Sequence, residues 1–301
     1  MSGPQLKGGA EAHTERLAYR LGYTSGGYSF LRAFAAFAGR RTCSPVAAAF
    51  SRFYCATHPG IVDVVARNLE ILGHPHPGPS APMVFENFAR TLSDYFWMAG
   101  KSREEAFALA DIEGSLPEIP AGKGAVLATG HFGFFEYGAL ALGMKGIPVS
   151  VVTHAEPSSA LTRWRADYRL RWGAQTIELG SDTFSSLRAA AAIESGQLTA
   201  MLVDRPLGGR SMDVPLPGGS IPFSLAPALL SWMVGCPVIP VSVRRTPAGR
   251  YAVRTSPPVV ADRGMPREEA LADCTLRVAA ALIQDFQTDP LQWYHFVPLA
   301  S

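Results

Sequence analysis

Familiar catalytic signatures are missing from this 301-residue sequence, and each absence removes a class of chemistry. No G-x-S-x-G elbow occurs, so a serine triad of the α/β-hydrolase kind has no support. Neither G-x-x-x-x-G-K-[ST] nor G-x-G-x-x-G is present, which removes the phosphate loops of nucleotide and dinucleotide enzymes. Cysteine is scarce: Cys43, Cys55, Cys236 and Cys274 show no CxxC spacing and read as reduced thiols of a cytosolic compartment. His74 and His76 are pinned by prolines with no third ligand nearby, so the sequence predicts no metal and no bound cofactor.

Charge and long apolar runs are also sparse. Only 17% of residues are charged and the net charge is +2, which argues against a strongly basic nucleic-acid binder. The first 20 residues hold no apolar core of the kind a signal peptide needs. The two most apolar N-terminal stretches, 28–39 and 46–56, are interrupted by Arg32 and Arg52. Both fall short of the roughly 20 apolar residues of a spanning helix. Residues 1–60 nevertheless carry seven Lys/Arg against two Glu, and aromatic residues interleave with the arginines. That pattern reads either as a membrane-surface element or as a helical cap on the core.

What is present is apolar residue in quantity, 48% of the chain, enough to bury one large core. Residues 1–14 read as a disordered tail and 15–115 as an N-terminal helical section packed on the core. Residues 116–301 read as the α/β core, with 15–301 forming one continuous domain. In the first section helices are expected over 15–56 (two of them), 62–72, 82–98 and 102–109, with a breaker-rich loop at 74–82. Beyond it, strands at 125–128, 147–153, 176–179 and 198–203 alternate with helices at 134–144, 158–172 and 183–195. Such alternation predicts a mostly parallel central sheet flanked by helices. A helix at 222–234, strands at 238–244 and 251–256, a long helix at 266–286 and an apolar plug at 293–296 complete the reading. A hairpin between Gly208-Gly209 and Gly218-Gly219 is expected to cover the cleft.

The chemistry concentrates at 124–136, Gly-Ala-Val-Leu-Ala-Thr-Gly-His-Phe-Gly-Phe-Phe-Glu. A short apolar strand breaks at Thr129-Gly130 and a helix follows, so His131 and Glu136 sit where α/β sheets place their active groups. With His131 in the turn and Glu136 in the first helical turn, the carboxylate would orient the imidazole, whose other nitrogen would take a proton from a hydroxyl or amine. His-x4-Glu alone is a weak signal, and His58 to Asp63 repeats its spacing without a preceding strand.

Four further segments follow in order. They are Arg-Leu-Arg-Trp-Gly-Ala at 169–174, Leu-Val-Asp-Arg-Pro-Leu-Gly-Gly at 202–209, the run through 221–231 and 235–241, and Pro-Leu-Gln-Trp at 290–293. Together with His131 and Glu136 they resemble the bacterial lysophospholipid acyltransferase-like superfamily, in particular its lipid A late-acyltransferase branch. The likeness covers about residues 60–298. Arg205 stands where that branch has Gln, and the spanning N-terminal helix common in the branch is not seen here.

The resemblance implies an acyltransferase that moves a fatty acyl chain from an acyl thioester to a hydroxyl or amine of a lipid or glycolipid. The donor would be acyl carrier protein or coenzyme A. His131 would be the general base and Glu136 its orienting partner. Arg169, Arg171, Asp204 and Arg205 would bind substrate. A backbone amide near Gly133 would support the thioester oxyanion, and Phe132, Phe134 and Phe135 would line the acyl channel. The expected location is cytoplasmic, peripheral to the inner face of the cell membrane. An acyl-thioester hydrolase and a non-catalytic lipid- or carrier-binding protein of the same fold are the alternatives.

Overall fold

The computed structural model describes residues 25–113, 123–156, 159–179, 185–206 and 210–299; for 25–38, 41 and 185 it describes the backbone alone. The expected tail at 1–14, the helical turns at 15–24, Gly208-Gly209 and the side chains of Tyr28, Phe30, Arg32, Phe34, Phe37 and Arg41 lie outside this description.

Prolines and glycines set the helical section. α1 (Ser25–Thr57) is broken at Gly39, whose φ of 72° leaves the helical region, so two helical halves meet there. α2 (Pro59–Ile71) begins on a proline, which has no amide to leave unsatisfied in a first turn. The same reason corrects the loop expected at 74–82. Pro77 and Pro79 fall in the first turn of α3 (Pro77–Met98), where amides have no intrahelical acceptor, and the helix starts earlier than the breakers imply. α4 (Arg103–Phe107) is fixed by a capping box between Ser102 and Glu105.

Beyond it come β1 (Ala110–Glu113), β2 (Ala125–Thr129), α5 (Phe135–Met144), β3 (Val149–His154) and α6 (Ser159–Arg171). Then follow β4 (Ala174–Leu179), α7 (Ser185–Glu194), β5 (Leu198–Leu202), β6 (Ser211–Leu216) and β7 (Gly219–Ser224). The chain ends with α8 (Ala226–Val234), β8 (Val238–Arg245), β9 (Tyr251–Thr255), α9 (Arg267–Thr288) and a short turn at Pro290–Gln292. Seven strands form one sheet in the order β1-β9-β8-β2-β5-β3-β4. Only β8 and β9 pair antiparallel, joined at the turn expected around residues 247–249.

One strand was not expected and one expectation moves. β1 is a four-residue edge strand too short and polar to show a pattern, pairing with β9. Pro222 belongs to β7, not to the following helix: in the two-stranded β6–β7 hairpin a missing amide is tolerated on the unpaired side.

Strand β2 is buried at every position, the mark of a central parallel strand covered on both faces. One core cluster joins it to Phe286, Leu282 and Val278 of α9 and Leu230 of α8; another joins it to Tyr137 and Leu140 of α5 and to Trp172 just after α6. A third cluster ties α2 and α3 to the C-terminal segment through Leu69, Phe85 and Tyr294.

Candidate active site

Parallel pairing decides which side chains meet. Thr129 of β2 lies opposite Leu202 of β5, and the Val203 amide continues the ladder to the Thr129 carbonyl at 2.9 Å. Two residues further along each strand, that register brings His131 beside Asp204, because adjacent strands run only about 4.8 Å apart. The His131 backbone N–H donates to both carboxylate oxygens of Asp204, at 3.1 and 2.9 Å. Its side-chain Nδ1 lies 2.8 Å from Oδ1. Asp204 is fully buried and takes a third donor, the indole N–H of Trp293, at 2.9 Å. The Tyr294 amide then donates to the His131 carbonyl at 2.7 Å. The C-terminal apolar plug thus grips both residues.

Burial alone would raise the Asp204 pKa, but the His131 imidazole outweighs it, with His295 and the Trp293 N–H adding to the effect. The carboxyl is held well below the ordinary range. An ionised carboxylate can only accept, so the nitrogen that faces it, Nδ1, carries the proton, and in the neutral imidazole Nε2 is the nitrogen with the lone pair. Nε2 has no partner among the described residues.

Two glycines make this approach possible. A Cβ on Gly130 would lie 2.3 Å from the Phe286 ring, and one on Gly133 would lie 1.9 Å from the Val243 carbonyl oxygen. Gly133 also has φ +54°. Gly133→Ala is therefore expected to destabilise by about 2 kcal/mol or more, which a urea titration would read. The Gly133 amide donates to the Gln292 carbonyl at 2.8 Å, so it is engaged and not held open for an oxyanion.

Glu136 is buried in the first turn of α5 and faces α6. Its oxygens accept from Arg169 Nε at 2.5 Å and from Arg165 at 2.9 Å. Burial would raise its pKa, but the two guanidiniums hold it down at about 2. Among the described residues its partners are these arginines and not His131. Arg165 also pairs with Glu156, and Arg169 reaches Thr176 at 3.5 Å. The i,i+4 face shared by Arg165 and Arg169 thus grips one buried carboxylate.

These groups border a cavity of about 740 Å³ beside the carboxyl ends of β2, β3 and β5, lined by His131, Glu136, His154, Arg165, Arg169 and Arg205 among others. A smaller apolar chamber of about 90 Å³ lies beneath α5, and Thr129, Phe135, Ala139 and Ala200 line both. Phe134 and Phe135 line the large cavity, whereas Phe132 packs on Phe286 in the core. Arg171 is elsewhere: it donates to the carbonyls of Ala99 and Lys101 and stacks over Trp172. Trp293 entered the sequence reading as the end of a motif and the start of the apolar plug, and no local pattern tells that it would touch Asp204. Among the described residues no cluster of three metal-ligating side chains exists.

His295, buried behind the site, has its pKa lowered to about 4 by desolvation, against the pull of Asp204. A buried neutral histidine favours folding at high pH. Its contribution is complete above about 6.5 and is lost as pH falls toward about 4, because the unfolded chain binds the proton more readily there. Thermal melts between these pH values are expected to fall in the native protein and to flatten in His295→Gln.

Residues 30–299 match the family model described as bacterial lipid A biosynthesis acyltransferase. No curated protein matches the chain.

Proposed function

The chain belongs to the bacterial lipid A biosynthesis acyltransferase family, and we propose that its cavity transfers a fatty acyl group directly from a thioester to a lipid or glycolipid hydroxyl or amine. The observation that carries this reading is the polarised His131: Nδ1 is tied to a buried carboxylate, and Nε2 is left unpartnered in a residue that lines the cavity. No serine or cysteine hydrogen-bonds His131 among the described residues, which favours the acceptor itself as nucleophile.

Nε2 would take the proton of the acceptor O–H or N–H as that atom bonds to the thioester carbonyl carbon. Asp204 would stabilise the imidazolium so formed. The C–S bond then breaks, and the departing sulfur takes the proton back from Nε2, returning the imidazole to its starting state. Glu136 would act one step removed, fixing Arg165 and Arg169 at the cavity wall. Arg205 lines the same wall, and its guanidinium suits a phosphate, whether of a lipid headgroup or of phosphopantetheine on acyl carrier protein. The apolar chamber beneath α5 extends the cavity in a direction that suits hydrocarbon. Such an enzyme would work peripherally at the inner face of the cell membrane, where donor and acceptor meet.

The test is acyl transfer from acyl carrier protein carrying chains of different length, with a lipid extract as acceptor and mass spectrometry as readout. A new acylated lipid made by the native protein and not by a folded His131→Ala variant supports the reading. Free fatty acid as the sole product would shift it to a hydrolase.

A further inference from the structure

Helices on a protein surface normally turn their charged side outward. The second half of α1 does the opposite. Val46, Ala49, Phe50, Phe53 and Ala56 recur at i, i+3, i+4, i+7 and i+10, and all five are exposed. Phe50 is 63% accessible and Phe53 67%, far beyond what an aromatic ring on a packed helix shows. Between Thr42 and Thr57 the only charged residue is Arg52, at the flank of this stripe. Arg52 reaches Glu86 of α3 at 3.3 Å, and one turn before Glu86 the exposed Met83 extends the apolar surface across both helices.

The inner side of α1 is anchored, so the outward display is not loose packing. Arg40 forms a paired hydrogen bond with the buried Asp94 of α3, at 2.7 and 2.6 Å, and Ser44 accepts from Arg90 at 2.6 Å. Cys43, Ala48 and Ser51 are buried on that side. The helix is fixed with its apolar stripe facing away from the protein.

We infer that this stripe of α1, with Met83, is the surface by which the protein docks on an anionic lipid bilayer. Three features favour that occupant. Val46, Phe50 and Phe53 form an outward ridge on a single helix, which suits insertion among acyl chains at the headgroup boundary. From residue 16 to residue 62 the chain holds six arginines and no Asp or Glu, a charge matched to anionic headgroups. A second copy is disfavoured by the exposed Arg52 at the flank of the stripe, which a two-fold contact would bring toward its own copy. The inference rests on the proposed acyl transfer to lipid only in choosing a membrane as partner. α3 carries the docking helix on one side and supplies Phe88, Leu92 and Tyr95 to the cavity on the other, so docking would hold the cavity one helix layer from the bilayer.

The experiment is vesicle sedimentation of the full chain with phosphatidylcholine vesicles containing or lacking phosphatidylglycerol. The native protein is compared with Phe50→Ser/Phe53→Ser, and light scattering and a thermal melt are run on both. The native protein is expected to sediment with the anionic vesicles, more weakly as salt rises. The double variant, with an unchanged melt, should bind roughly tenfold or more weakly through its lost apolar insertion. Equal binding by both, as when residues 1–24 cover the stripe, overturns the inference. So does a dimer that the substitution dissolves, or loss of acyl carrier protein binding with vesicle binding intact. Thioester turnover with a soluble acceptor, followed in the same samples, reports on the proposed chemistry separately. Vesicle binding without turnover would leave the surface standing and the reaction refuted, and turnover without vesicle binding the reverse.

Discussion

Asp204→Asn is expected to lower kcat by about 10³-fold in a protein that still folds, within the range of roughly 10²–10⁴ that a positioned base contributes. The reason lies in what the amide cannot do. Asp204 fixes Nδ1–H of His131 at 2.8 Å and offsets the charge of the imidazolium formed during proton transfer. An asparagine can keep one acceptor oxygen for the His131 amide or the Trp293 indole, but it carries no charge. It also presents an NH₂ group that favours the wrong tautomer of the imidazole. A split of kcat against KM would separate this from a mere shape change, because the lost charge acts on the proton-transfer step and leaves substrate binding nearly unchanged. Trp293→Phe removes one donor to the same carboxylate but leaves its charge, and should give a much smaller loss of rate.

Glu136→Gln is expected to act mainly on stability, by about 3–5 kcal/mol, because it leaves Arg165 and Arg169 with a neutral partner in a buried place. For a chain of this size that corresponds to a fall in Tm of roughly 5–8 °C. The acid dependence has a definite sign. With its carboxyl held at about 2, Glu136 contributes stability that is fully present above its unfolded value near 4.5 and lost as pH falls from there through about 2. Denaturant titrations at pH 7 and at pH 3 should therefore show the native protein and Glu136→Gln converging at the lower pH. Loss of kcat in Glu136→Gln at full stability, with Asp204→Asn still active, would instead return the orienting role to Glu136.

The strand at 125–129, the helix after it and the alternation through 202 were legible because buried parallel strands are short apolar runs between amphipathic helices. So was the placing of His131 and Asp204 at the carboxyl edge of the sheet. Their contact was not legible. Seventy-three residues separate them, and only the β2–β5 register, with Thr129 opposite Leu202, brings the two together. Glu136 is near His131 in sequence, yet the helix carries its side chain toward α6, where two arginines one turn apart outbid a single imidazole for a buried carboxylate. Arg171 lies only two residues from Arg169, but that offset rotates it about 200° around the helix, away from the cavity. Pro77 and Pro79 misled because a first helical turn and a loop tolerate the same residues.

The most direct test of the central claim is mass-spectrometric acyl transfer from acyl carrier protein to a lipid acceptor by the native protein, Asp204→Asn and Glu136→Gln, each checked for folding. The account predicts an acylated lipid from the native protein, almost none from Asp204→Asn, and product in proportion to the folded fraction from Glu136→Gln. Equal product from the native protein and Asp204→Asn, or fatty acid release without transfer, would contradict it.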